Sequence, residues 1–459
     1  MDILRPIVSS FTWNAYLRRD GYDLRPLRSF LNDSQYYPLE KLHQLQLERL
    51  RSLIVFAARE NDFYRERFRT IGFDPGDLRT LGDFSALPIL TKDDIRGSLG
   101  QCLSRGFDRE RTIAKRTGGS TGVPVRIRMD YRAMSWKKAA TERHNRWAGL
   151  VPGPRLAALW GDTSAPLSWR ERLRNNLTGR VTYLDTLEFD EKNIEHFLSA
   201  VRRGRPPILM GHAHSLYRLA LYVRDVGLED ISFDGVISTA MGISAEERRT
   251  VEDVFRTRVY DRYGCEELSL IASQCEVSSG MHIFSEGVLV ESIGQGEGRP
   301  GKLIVTDLLN HAMPLIRYEI GDYAILSNAL CSCGRGLPLI AQVVGREADF
   351  LYRRDGVPVF GISILDTFAI HIPGIKQVQI RQDFLDRVDF TVVPDESFND
   401  DSLRLLRVAV DEVFGVNMQH TVRLARSIAQ TIGGKFRFSI CNLTDDEIER
   451  GKVRGQYAR

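Results

Sequence analysis

The stretch Arg116–Asp130, RTGGSTGVPVRIRMD, sets Gly118, Gly119 and Gly122 around Ser120 and Thr121 and then alternates Val125, Ile127 and Met129 with polar positions. The alternation reads as a strand with one buried face. A glycine turn bearing two hydroxyls can aim backbone N–H groups and O–H donors at phosphate oxygens, because glycine allows the needed φ and ψ and a close approach. It is not a Walker A loop, since Gly122 is followed by Val123 and Pro124 where that motif has Lys and Ser or Thr. Taken alone, the stretch is either a phosphate cradle or an ordinary turn. The surrounding chain decides between them.

Upstream, PLEKLHQLQLERLRSLIVFAARENDFYRERF (Pro38–Phe68) spaces Leu42, Leu45, Leu47, Leu50, Leu53 and Ile54 at helical intervals among charges, which predicts one amphipathic helix. LPILTKDDIR (Leu87–Arg96) places a threonine before acidic residues, as at a helix N-cap. A helix is expected over Tyr131–Trp147. Beyond it, the apolar runs Arg155–Gly161, Pro206–Gly211 and Asp234–Ala240 alternate with polar helical stretches such as Ser244–Phe255, which predicts α/β layers. After Gly294 short strands and turns take over. Past Gly345-Arg346 about a hundred residues read as strand, helix and strand, a small α+β unit. The expected division is a large N-terminal α/β domain, residues 1–345, and a small C-terminal domain, 346–459. No internal repeat or low-complexity tract interrupts it.

Composition excludes several classes. The 459 residues carry 63 basic and 60 acidic side chains, a net charge of +3, and show no basic tail, which argues against nucleic-acid binding. No run of about 18 apolar residues could span a bilayer. The opening MDILRPIVSSFTWNAYLRRD lacks a continuous apolar signal core, so a cytoplasmic location is expected. Six cysteines are too few for a secreted disulfide framework in a chain this long.

Five stretches, in order, resemble the motifs of the adenylate-forming enzymes, the acyl-CoA ligase superfamily: TGGSTGVPV, DRYGCEE (Asp261–Glu267), RYEIGD (Arg317–Asp322), VGREAD (Val344–Asp349) and GGKFR (Gly433–Arg437). DFYRERF, LPILTKDDIR and CSCGRGLP are similar to its phenylacetate-CoA ligase-like branch, which includes members of capsular-polysaccharide biosynthesis. The resemblance implies a large AMP-binding domain of layered mixed sheets with helices and a small mobile α+β lid. It implies that Ser120, Thr121 and Gly122 hold phosphates, Tyr263 stacks beside adenine and Glu267 orients Mg²⁺. Asp322 would accept from the ribose hydroxyls, Arg346 would reach the nucleotide from the hinge, and Lys435 would be the adenylation lysine. Attack of a carboxylate on the α-phosphate of ATP brings two anions together, which is why cations and oriented donors are needed there. The chain departs from the family pattern at Val123, which stands where a loop lysine is frequent, and at Ala348 in the hinge. At Met241, in STAMGIS, the aromatic-acid ligases carry a carboxylate.

A second group is independent of these. Cys275, His282, Cys331 and Cys333 supply three thiols and one imidazole, a set suited to tetrahedral Zn²⁺; the alternative is reduced, buried cysteines beside an unrelated histidine. In GHAHSLYRLA, His212 and His214 could cap a helix or, with Trp160, line an acyl pocket. The expected activity is ATP-dependent activation of a carboxylic acid as its acyl-adenylate, followed by transfer to coenzyme A. Transfer to an amine or a sugar hydroxyl is the alternative, and a catalytically silent nucleotide-binding scaffold is the alternative of another class.

Overall fold

The computed structural model describes residues 11–459 apart from 99, 117–124, 152–154, 162–172, 176, 179, 278, 295–297, 347–349, 360–366, 369–371, 429–437 and 458–459. Two compact units emerge: Met1–Met241 with Val251–Ile320 and Ala324–Val343, and Gly242–Thr250 with Gly321–Tyr323 and Val344–Arg459.

The larger unit is built on a sheet in which eleven strands are described. From one edge they run Val288–Gly294, Gly301–Asp307, Tyr318–Ser327, Leu339–Arg346, Met281–Ile283, Ser269–Gln274, Val259–Cys265, Gly235–Thr239, Ile208–His212, Leu156–Trp160 and Val181–Asp185. The last five pair in parallel, and their runs LAALW, ILMGH and GVIST are buried through most of their length, as strands covered on both faces must be. Val259–Cys265 then pairs antiparallel with Ser269–Gln274, which begins the mixed half.

The strand after the glycine loop forms as expected. Arg126–Met129 pairs antiparallel with Ile113–Arg116, and Val125, Ile127 and Met129 are buried. The closing pair, Arg116 and Arg126, brackets residues 117–124. Asp130 then caps the helix Tyr131–Trp147, accepting from the Ala133 N–H at 2.7 Å and, through its other oxygen, from the His311 N–H at 2.9 Å. Thr91 and Asp94 form the capping box of Lys92–Gly97.

The single helix expected over Pro38–Phe68 is two, Leu39–Glu60 and Asp62–Thr70. Asn61 breaks it. Its side chain accepts from the Tyr64 N–H at 3.1 Å and donates to the Cys102 carbonyl at 2.9 Å and to Ser104 Oγ at 3.0 Å, so a buried amide is satisfied only if the backbone turns there. Both helices face the same core, through Leu50, Leu53 and Ile54 on one and Phe63, Tyr64 and Phe68 on the other. Helical periodicity therefore runs through the break unaltered.

The smaller unit is α+β. Among the described residues its main sheet has four strands in the order Gln419–Leu424, Arg387–Pro394, Ile375–Phe384, Ser439–Cys441, antiparallel in the middle and parallel at both edges, and Leu351–Tyr352 pairs antiparallel with Pro358–Val359 beside it. The helix Asp400–Phe414, opened by an Asn399 capping box, buries Leu406, Val410 and Phe414 with Val378, Ile380, Phe390 and Val392 of the sheet. Among the described residues no helix is long and apolar enough to cross a membrane.

Candidate functional site

The Tyr-Gly stretch lies at the end of the parallel run. Tyr263, half-buried, packs against the main core. At Gly264 a Cβ would come within 2.3 Å of the Ser269 carbonyl oxygen, so the return into the next strand admits only glycine there. Within that return Glu267 is buried, and its Oε1 accepts from the Tyr318 hydroxyl at 3.0 Å. Burial, reinforced by the Glu267 charge, pushes the Tyr318 phenol far above its ordinary pKa, so it remains a donor. DRYGCEE and RYEIGD are thereby joined through side chains 51 positions apart. Sequence reading assigned no role to Tyr318, although it stands inside the quoted motif.

A second residue it missed is Lys137, on the helix Tyr131–Trp147. Its Nζ donates to the Leu268 carbonyl at 2.8 Å and to the Asp307 carboxylate at 2.7 Å. The two side chains are 2% and 0% exposed. The pair fixes the residue next to Glu267 to the strand Gly301–Asp307. One of two adjacent lysines in the polar pattern of that helix, it gave no sign of this in the sequence.

In the smaller unit Asp322 follows Gly321, whose φ of 85° is left-handed. The Asp322 carboxylate is nearly buried and accepts from Arg346 Nε at 3.2 Å, while Arg346 is 40% exposed. Two residues expected to meet one nucleotide thus meet each other. Ser120, Thr121, Gly122 and Lys435, together with Val123 and Ala348, lie outside the described residues. Ala240, beside Met241, holds φ at 69°, a strained value for a residue with a Cβ. His212 is at the N-cap of Ala213–Asp225 but makes no side-chain cap bond; its ring lies 4.7 Å from that of Trp160 instead. An N-cap acceptor must reach back over the first turn, and an imidazole stacked on the neighbouring strand cannot.

Cys275, His282, Cys331 and Cys333 converge, with all their ligand atoms within 4.8 Å of one another. Cys275 follows the strand Ser269–Gln274, His282 lies on Met281–Ile283, and the Cys-Ser-Cys turn precedes Leu339–Arg346, which pairs with the His282 strand. The Cys275 and Cys331 sulfurs are 3.7 Å apart, and Cys333 Sγ is 3.3 Å from His282 Nε2. Two thiolates at about 2.3 Å from a tetrahedral zinc stand about 3.8 Å apart, so the sulfur spacing fits the metal. His282 Nδ1 meets the Leu337 carbonyl at 3.2 Å, which directs the Nε2 lone pair inward. Burial lowers the His282 pKa to about 4, so the ring is a neutral ligand. Burial opposes ionisation of Cys331, but hydrogen bonds from Ser279, from the Cys333 backbone and from the neighbouring thiols outweigh it and lower the pKa. Arg335 clasps the group from outside, donating to Glu276 at 2.9 Å and to Gln35 at 3.0 Å.

A mixed α/β sheet unit whose Tyr-Gly and Gly-Asp strands are linked, followed by a small α+β unit, is the fold of the adenylate-forming ligases. A 2-hydroxyisobutyryl-CoA ligase in the postadenylation state shares it with a TM-score of 0.71 at 20% identity, over 92% of this chain and 93% of that one. The sequence is related to CapK of Staphylococcus aureus, 24% identical over 88% of this chain and 90% of CapK. It is also related to the phenylacetate-coenzyme A ligase of Thermus thermophilus, 26% identical over 86% of this chain and 91% of that enzyme. Residues 351–442 match the CapK C-terminal domain family.

Proposed function

We propose that this chain activates a carboxylic acid with ATP and transfers the acyl group to coenzyme A. In the first step a carboxylate oxygen attacks the α-phosphorus and the bond to pyrophosphate breaks. In the second the thiol attacks the acyl carbon and AMP leaves. The observation that carries the reading is the Tyr318–Glu267 bond, which joins the two superfamily-like motifs inside a fold shared with acid–CoA ligases. One Glu267 oxygen is held by Tyr318, which leaves the other to meet Mg²⁺, a hard cation that takes carboxylate ligands. Mg²⁺ would neutralise phosphate charge. Asp322 and Arg346 supply an acceptor and a donor to the ribose and phosphates, Tyr263 a ring for the base, and Ser120, Thr121 and Gly122 donors for the outer phosphates.

Residues 346–459 act as a lid that turns at Gly345-Arg346, bringing Lys435 to the α-phosphate for adenylation and withdrawing it for transfer. A cytoplasmic location fits this reading, since ATP and coenzyme A are both available there. Zinc fills the cysteine–histidine cluster; with all four positions taken by protein its role is structural. A second acceptor class, an amine or a sugar hydroxyl, follows from the resemblance to the branch that includes members of capsular-polysaccharide biosynthesis, and the similarity to CapK supports it.

Exchange of labelled pyrophosphate into ATP over a panel of carboxylic acids tests the first step. Lys435→Ala is expected to abolish it while leaving thiolysis of a supplied acyl-adenylate intact. Normal exchange by this variant refutes the assignment of Lys435, and release of AMP with amide or ester in place of thioester selects the second acceptor class.

A further inference from the structure

Arg262 precedes Tyr263 on the strand Val259–Cys265, and the two side chains fall on opposite faces of the sheet. Tyr263 packs against the main core. On the other face, Tyr260 and Met210 join a separate apolar cluster with Ile208, Ile237 and Ala148. Arg262 stands at the open end of that face. The pairings His212 with Thr239 and Thr239 with Arg262 set these residues abreast at the C-terminal ends of parallel strands, and the Trp160 ring, 4.7 Å from His212, extends the row. The crevice beyond such strand ends is where open α/β sheets take their ligands.

The guanidinium there has no counterion among the described residues. One terminal nitrogen donates to Asn145 Oδ1, the other lies 3.9 Å from the Met210 sulfur, and Nε is buried without a hydrogen-bond partner. His144, on the same side, is held neutral by burial and by the neighbouring cations Arg143 and Arg262. Burial lowers the Arg262 pKa only to about 10, so the charge persists at neutral pH. A half-buried cation with an inaccessible Nε and no counterion is costly, and a partner that arrives with the ligand removes the cost. Because Arg262 points away from the Tyr263 face, it is separated from the groups expected to hold the nucleotide, and the anion it meets is at the far end of the acid.

We propose that Arg262 selects the substrate: the acid activated here carries a second anionic group, a carboxylate in the simplest case, that pairs with Arg262. This rests on the ligase reading above. The test is pyrophosphate exchange over matched pairs, succinate with butyrate, glutarate with valerate and 4-carboxyphenylacetate with phenylacetate, on the wild-type chain, Arg262→Gln and Arg262→Leu. The wild type is expected to favour the diacid of at least one pair. Removing the Arg262 cation lowers kcat/KM for that diacid by about 100-fold or more and leaves its neutral-tailed partner unchanged or faster. Equal or better wild-type exchange with every neutral-tailed acid overturns the proposal, as does an equal loss for both members of a pair in variants that melt like the wild type. Should the variants fail to fold, the wild-type preference alone decides. Absence of exchange with every acid refutes the ligase reading itself, and the proposal falls with it.

Discussion

Replacing Cys333 by serine removes one sulfur from the cluster at the least cost to packing, because Cys333 is the only one of the four that is not buried. Its Sγ lies 3.3 Å from His282 Nε2, so the loss opens one corner of the tetrahedron. A ligand held only by the folded state stabilises it by about 2.7 kcal/mol when free ligand is 100 times its Kd. The unit that carries the cluster has some 330 residues. At about 2.1 cal/mol/K of unfolding entropy per residue, losing that contribution lowers its melting temperature by about 4 °C. Elemental analysis of protein purified without chelator is expected to give about one zinc per chain, falling well below one in Cys333→Ser. Cobalt(II) in place of zinc is expected to show the strong visible bands of a tetrahedral thiolate site in the wild type only. Zinc-free wild-type protein, together with a Cys333→Ser variant that melts like its parent, refutes the metal.

Asp322→Ala is expected to weaken ATP binding by about 2 kcal/mol, roughly 30-fold, with little effect on the acid, since a ribose loses its acceptor and Arg346 its partner; unchanged affinity by calorimetry makes RYEIGD a structural turn. Lys137→Met leaves the Asp307 carboxylate buried without its cation and is expected to cost about 3–5 kcal/mol in urea unfolding, much of it restored by adding Asp307→Leu; a loss below about 1 kcal/mol refutes the positioning of Leu268 by this pair. The His144 pKa is driven well below its usual value, first by burial, so the unfolded chain takes up that proton first. Stability is then full above about pH 6.5 and falls as pH drops below it, by up to about 1.4 kcal/mol per unit, and His144→Gln is expected to flatten that slope. Identical slopes between pH 6.5 and 5 in the two proteins contradict it.

Elements defined by local pattern were readable in advance. The Val125, Ile127, Met129 alternation, the Thr91 cap and the helix Tyr131–Trp147 each follow from residues within one turn or one strand of each other. The Asn61 break was not readable, because the partners that fix it, Cys102 and Ser104, are about forty positions away. Still larger separations, 51 and 170 positions, hide the Tyr318–Glu267 and Lys137–Asp307 contacts, which exist only once the sheet has assembled. Cys275, His282, Cys331 and Cys333 were legible across a similar gap because thiols and imidazole are scarce enough to stand out. Arg262 was not, since arginine is abundant in this chain and its unusual feature is a missing partner.

The N-terminal helices contribute none of the residues assigned to chemistry, yet the Tyr64 hydroxyl bridges the Pro314 carbonyl and the Ile316 N–H, each at 3.0 Å. The Arg317 guanidinium donates to the Ser85 and Leu87 carbonyls, and Leu90 exchanges backbone bonds with Arg317 and Glu319. Tyr64, Ser85, Leu87 and Leu90 therefore hold the chain at and just before RYEIGD. For anyone recombining ligases this sets a rule of inheritance. The opening segment and the Tyr318 strand have to come from the same parent, and a chimera with its crossover anywhere between Leu90 and Pro314 separates that strand from the frame that holds it.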